Sequence, residues 1–266
     1  MDGSAGPFPV TTHLGRVIAS VPVGARYHRL LAEAPALSAA VEPGQFCHLL
    51  CPGAYLRRPM SVWRAGAQEP LGFLFRVAGP GTAALAGLRE GDTLDAMGPL
   101  GRGFTLDPGW GRILVLARGV GLATLSLLAR RAVSLDIGVT AILSARDPAD
   151  MMAEAFCGAV PMDLRLVHDS DGSSDPAAVG MMIEAEFIRA RPDAVFTCGS
   201  DRLLRLLQEI AARHGVLGEA AIEQRMGCAL GLCFACVRRI ATPDGPRDLR
   251  VCREGPVFDL QSVEAW

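Results

Sequence analysis

The sequence predicts an α/β plus β protein of three consecutive parts: an antiparallel barrel, a parallel sheet covered by helices, and a short cysteine-bearing segment. Three observations carry this. From residue 11 to about 106, short apolar runs are divided by turn residues. From 110 to about 218, strand-like runs alternate with helix-length segments, the pattern of a parallel sheet. The remaining segment fits neither pattern and holds four of the eight cysteines. The implied limits are a loose tail over 1–10, a barrel over 11–107, an α/β domain over 108–219 and the cysteine segment over 220–266. A chain of 266 residues is long enough for two compact modules.

Within the barrel the expected strands are 16–21, 27–32, 45–51, 59–63 and 71–77, with a short helix near 82–87. Pro22, Gly24, Pro43-Gly44, Pro52-Gly53, Gly66, Pro80-Gly81 and Gly91-Asp92 separate them as turn formers. In the α/β region the strands are 113–117, 137–143, 164–168 and 194–198, and the helices 122–133, 149–156, 176–190 and 201–214. Ligands of such a sheet sit at the carboxyl ends of its strands.

Composition excludes several classes of function. The 26 basic residues are all Arg, so lysine Schiff-base chemistry and a phosphate-loop lysine are ruled out. A net charge of -2 without a basic block gives no footprint for nucleic acid, and 50% apolar content argues against disorder. Arg118 interrupts the most apolar stretch, 113–129, so no membrane-spanning run is expected. Residues 1–9 lack the basic and apolar regions of a signal peptide, and the expected location is the cytoplasm. Cysteines in that reducing compartment are read as ligands or as packing.

Cys228, Cys233 and Cys236 follow a C-x4-C-x2-C spacing, with Cys252 beyond fifteen intervening residues. This is the plant-type 2Fe-2S spacing. Gly227 and Gly231 allow the loop to curl, and a hairpin turning at 242–246 would bring Cys252 beside Cys236. Structural zinc also takes four thiolates and is the alternative, although zinc ligands usually come as two close pairs and only one is present. Cys47, Cys51 and Cys157 read as small packed residues, and the five His are scattered and read as structural.

Two weaker signals concern nucleotides. In Arg57-Arg58-Pro59-Met60-Ser61 an Arg can grip a pyrophosphate while Pro holds the chain extended and Ser turns its hydroxyl to the ligand; a solvated surface Arg is the plain alternative. Gly119-Val120-Gly121 joins a strand to a helix, where backbone amides meet a phosphate, or it is a simple connecting turn. Arg146-Asp147 offers both an acid for a free ribose hydroxyl and a base for a 2'-phosphate, and so leaves NAD and NADP undecided.

The arrangement resembles the ferredoxin-NADP reductase superfamily. RRPMS at 57–61, GPLGRGF at 98–104, TCGS at 197–200, EQRMGCALGLCFAC at 223–236 and VCREGPVF at 251–258 narrow this to the electron-transfer subunits of NAD-dependent dihydroorotate dehydrogenase, over nearly the whole chain. The resemblance implies an oxidoreductase component carrying FAD and a 2Fe-2S cluster, which passes electrons between NAD(H) or NADP(H) and a catalytic, FMN-bearing flavoprotein subunit. It implies that Arg58, Pro59, Met60, Ser61, Leu74, Phe75, Arg76, Gly81 and Thr82 lie on the FAD and that the four cysteines hold the cluster. Gly119 and Gly121 would serve the nucleotide, with Cys198 beside the nicotinamide-flavin contact or simply packed. Two departures stand out. Ala229 replaces the family's usual Gly, and Ala117-Arg118-Gly119 replaces its usual Gly-Gly-Gly, so Arg118 either binds phosphate or obstructs it. A reductase component of another oxidoreductase complex, with weakened or altered nucleotide binding, is the alternative reading.

Overall fold

The structure is a computed structural model that describes residues 10–158 and 160–264. The tail expected over 1–10 falls, except for Val10, outside the described residues. Six strands close the barrel: β1 (Thr11–Val23), β2 (Tyr27–Glu33), β3 (Phe46–Leu49), β4 (Arg58–Gly66), β5 (Glu69–Arg76) and β6 (Thr93–Leu100), in the order β1-β2-β5-β4-β3-β6. Neighbouring strands are antiparallel, and closure leaves no unpaired edge. Val17, Leu30, Leu49, Val62, Phe73 and Leu94 fill the interior. Two short helices, α1 (Pro35–Ala40) and α2 (Pro80–Ala86), cover its ends.

The α/β region runs β7 (Arg112–Arg118), α3 (Gly121–Val133), β8 (Gly138–Ala145), α4 (Ala153–Cys157), β9 (Asp163–His168), α5 (Pro176–Arg189), β10 (Ala194–Cys198), α6 (Asp201–His214) and β11 (Leu217–Ala221). Strands β11, β10, β7, β8 and β9 lie side by side and parallel. Both faces are covered, which is why β7 is apolar through Ile113–Ala117, a run the structure buries throughout. The helix expected over 149–156 is instead a 3-10 turn, Pro148–Asp150, followed by α4, because Met151 is extended between them.

Helix α3 is buried along most of its length, since it is wedged between the sheet and the barrel strand β4. Helix α6 has one apolar face, with Leu203, Leu204, Leu207, Ile210 and Ala211 buried against the sheet. The Ser200 side chain caps it by accepting from the Leu203 amide at 3.3 Å, a contact worth about 1 kcal/mol.

The cysteine segment forms a hairpin, β12 (Val237–Ile240) against β13 (Arg247–Arg250), with Val237 opposite Arg250. It then contributes β14 (Val257–Asp259), which pairs antiparallel with β11 at the sheet edge. Strand β11 itself crosses the expected limit at 219/220, so the α/β sheet and the cysteine segment share that edge. The amide of Arg102, from the barrel side, donates to the Gly255 carbonyl at 2.6 Å, and that of Ile222 to Pro256 at 2.9 Å. Among the described residues no helix is long and apolar enough to cross a membrane.

Candidate functional site

A cavity of about 260 Å³ opens where the three parts meet. The barrel supplies Pro59, Met60 and Ser61 from β4 and Leu74, Phe75 and Arg76 from β5. Facing them are Val120, Ala123 and Thr124 at the start of α3 and Cys198 at the end of β10. Glu223, Gln224 and Met226 complete the wall on the stretch leading to Cys228. The site therefore lies at the carboxyl ends of the parallel strands, as such a sheet requires.

Polar groups bridge the cavity. Thr124 Oγ1 donates to Ser61 Oγ at 2.8 Å, joining α3 to β4, and the Thr124 hydroxyl also meets the Cys198 thiol. Burial, with the Glu223 carboxylate nearby, holds the Cys198 thiol well above the usual range, so it stays protonated. Glu223 is wetted by solvent yet ringed by protein, and that crowding, together with the Asp201 charge, raises its carboxyl.

Arg58, Gly81 and Thr82 form a second group outside the cavity lining. A Cβ at Gly81 would stand 2.8 Å from Arg58 Nε, so the guanidinium lies directly on the glycine of α2 and a larger residue would displace it. Among the described residues the Arg58 guanidinium donates only to the carbonyls of Leu56 and Arg57, at 2.7 and 3.1 Å. Its neighbour is different: Arg57 forms a two-pronged pair with Asp95 at 2.8 and 3.0 Å and is structural. The Thr82 hydroxyl accepts from the amides of Ala78 and Gly79 at the start of α2.

Arg118 points along the strand ends. It donates to Ser144 Oγ at 2.6 Å and grips both oxygens of Asp169, at 3.0 and 2.5 Å. Asp169 also accepts from Ser174 and from Arg202, and the Arg118 hydrogen bond foremost holds its carboxyl below the usual range. The amide of Gly119 is committed to Ser144 O at 3.0 Å. Gly121 permits close approach: a Cβ there would come within 2.5 Å of the Cys198 carbonyl, so the turn could not seat against β10 with any other residue.

The four cysteines of the C-terminal segment approach as two pairs, Cys228 with Cys233 and Cys236 with Cys252. Among the described residues no three ligating side chains are closed to metal-site geometry. The backbone is nevertheless shaped around sulfur. Amides of Leu230, Leu232 and Cys233 donate to Cys228 Sγ at 3.3, 3.3 and 3.4 Å, and that of Cys252 to Cys236 Sγ at 3.5 Å. Burial alone would raise the Cys228 thiol, but these amides outweigh it and bring it down to about 7. Burial and then the adjacent Cys236 push Cys252 up to about 12. Arg250 ties the loop down by donating to Gly231 O at 2.9 Å while its guanidinium lies 5.0 Å from the Phe234 ring and pairs with Glu254. Cys47 and Cys51 are buried in the barrel, and half-buried Cys157 donates to Ala153 O.

Thr124, Glu223, Gln224 and Met226 were not among the residues expected at the site. Glu223 and Gln224 stand in the run that opens the cysteine motif, and that adjacency was the signal for them.

Residues 223–264 match the model of the iron-sulfur cluster binding domain of dihydroorotate dehydrogenase B. The electron transfer subunit of dihydroorotate dehydrogenase B (NAD(+)) from Caldanaerobacter subterraneus is 33% identical over 222 residues, 83% of this chain and 86% of that one. Its namesake from Desulforamulus reducens is 30% identical over 252 residues, 93% and 96% of the two chains. Among solved structures, that of an NADH-dependent reduced ferredoxin-NADP oxidoreductase superposes with a TM-score of 0.80 at 24% identity, covering 100% of this chain and 92% of that one. The ferredoxin reductase of carbazole 1,9a-dioxygenase gives 0.60 at 18% identity, over 80% and 70%. These two likenesses establish a shared ferredoxin reductase fold, and the two sequence relatives go further: the chain belongs to the family of electron transfer subunits of dihydroorotate dehydrogenase B.

Proposed function

We propose that this chain carries electrons between NAD(H) and the catalytic, FMN-bearing subunit of a cytoplasmic dihydroorotate dehydrogenase, using FAD in the cavity and a 2Fe-2S cluster on the four cysteines. One observation carries the reading: a single cavity is walled by the barrel strands, by the ends of the parallel strands and by the stretch entering Cys228. FAD held by these residues would supply the link that converts the two-electron chemistry of a nicotinamide into the one-electron chemistry of a 2Fe-2S cluster.

The chain's own residues position and insulate. Arg58, with Gly81 and Thr82 at its side, takes the FAD pyrophosphate, because among the described residues its guanidinium has no acid partner. Pro59, Met60, Ser61, Leu74, Phe75 and Arg76 line the flavin ring, and Cys198, protonated and packed, limits how deep a nicotinamide can reach. Gly119 and Gly121 bring the nucleotide turn close, and Arg118 flanks it. The amide donors on Cys228 favour the thiolate that a metal requires. Exposed Leu232 and Phe234, on the cysteine loop itself, face the partner subunit.

Anaerobic reduction of the purified protein by NADH tests this. The flavin absorbance should bleach first and the cluster signal in electron paramagnetic resonance should follow. A colourless protein with stoichiometric zinc would overturn it.

A further inference from the structure

A second cavity, of about 630 Å³, lies on the other side of the barrel–sheet interface and shares no lining residue with the first. Three arginines from three elements line it: Arg29 of β2, Arg64 of β4 and Arg130 of α3. Glu154 is the one acid among its lining residues, and it is solvent-exposed. Arg64 is paired with Glu69 at 2.7 Å, and Arg130 donates to the Trp63 carbonyl and to Ser126, with its guanidinium 5.2 Å from the Trp63 ring. The Nε atoms of Arg29 and Arg130 are enclosed by protein and have no acceptor among the described residues. Arg29 has no ion pair among the described residues.

Three guanidinium groups brought to one cavity by β2, β4 and α3, with a single, exposed acid among the lining residues, give it the positive character that an oxyanion needs. A phosphate, with three oxygens and close to two charges, can meet separate guanidinium groups, whereas a single carboxylate offers two oxygens. The other walls are apolar: Val21, Pro22 and Val23 at the β1–β2 turn, and Met151 and Met152. The volume falls in the range of small-molecule sites, about 300–1,000 Å³, and is large for an inorganic ion. From this geometry we infer that the cavity is a binding site for a small organic phosphate, separate from the electron-transfer cleft. Such a ligand would touch both the barrel and α3 and would hold them together.

Isothermal titration of the purified, cofactor-loaded protein with ribose 5-phosphate tests this, with ribose and inorganic phosphate as comparison ligands. Saturable binding of the ester, weaker binding of phosphate and none of ribose is the expected pattern. Among the described residues Arg29→Gln removes no side-chain hydrogen bond or ion pair, so it should keep the visible spectrum while weakening the ester about tenfold or more. Arg64→Gln serves in its place if that variant does not fold. Absence of saturable ester binding, equal binding by inorganic phosphate, or an affinity unchanged in the variant would overturn the site.

Discussion

The electron-transfer cleft and the cysteine loop are built in opposite ways. Cleft residues come from β4, β5, α3, β10 and the segment after β11, so the cavity exists only because large packed layers hold distant stretches together. Its polar groups satisfy one another, as in the Ser61–Thr124–Cys198 chain. The loop from Cys228 to Cys236 is made by its own backbone. Ala229, Gly231 and Phe234 all adopt left-handed conformations, two of them without the freedom of glycine, within the stretch whose amides turn toward sulfur. A site carved by layers tolerates the loss of one side chain, whereas a site wound from one loop depends on each of its ligands.

The largest effect should separate the two. Cys233→Ser is expected to abolish the cluster absorbance and the bound iron while FAD stays in the cleft, and Cys157→Ala should change neither. Full iron and sulfide content in Cys233→Ser would remove the assignment.

Next in size is an acid response that belongs to the barrel. His48 is 2% exposed, neither ring nitrogen has a hydrogen-bond partner, and burial lowers its pKa from 6.5 to about 4. The unfolded chain therefore binds this proton first as the pH falls below about 6.5. Folding stability is lost between that pH and 4 and is unaffected by this group above 6.5, with a total on the order of 3 kcal/mol. Urea midpoints measured across this range should show the loss, and a His48→Leu variant should flatten it. Identical slopes in the two proteins would mean that other groups set the acid response.

The cleft can also be probed one contact at a time. Arg58→Ala should weaken FAD by roughly ten- to hundredfold through the loss of a charge-assisted pair, about 1.5 to 3 kcal/mol, as read by flavin retention on dilution. Arg57→Ala would instead strip Asp95 of its partner and show as lost barrel stability. The smallest effect is expected at Arg118. Its removal leaves Asp169 with Arg202 and Ser174 beside the nucleotide turn, so the negative charge there is less compensated. In Arg118→Gly the NADH concentration for half-maximal flavin reduction should rise roughly two- to fivefold, with the limiting rate unchanged. Faster reduction in stopped-flow would show that the natural Arg obstructs the site.

How much was legible follows from the same contrast. The iron-sulfur segment could be read because the cysteine spacing that marks it is local, and residues 223–264 match that family's model. The parallel strands could be read because a sheet covered on both faces is written as unbroken apolar runs, as at Ile113–Ala117. Strand β6 was missed: Asp95, Gly98 and Pro99 look like turn residues, although Leu94, Ala96 and Leu100 alternate inward. Helix α1, short and alanine-rich, carries no periodic signal at six residues. The role of Arg57 was hidden because its partner, Asp95, lies 38 positions away. Thr124 was invisible as a cleft residue for the same reason, since nothing near it in sequence records which strand it faces.

The pairing of β14 with β11, and the bond from Arg102 to Gly255, have a mechanical consequence. Two modules joined by one crossover would open and close like a clamshell to admit a nucleotide. Here the late segment is bonded to both, to the barrel side at Arg102 and to the sheet at β11, and these contacts oppose that opening. Electron tunnelling fades steeply with separation, so with FAD and a cluster bound, contacts that oppose such opening would also oppose any widening of the gap between them.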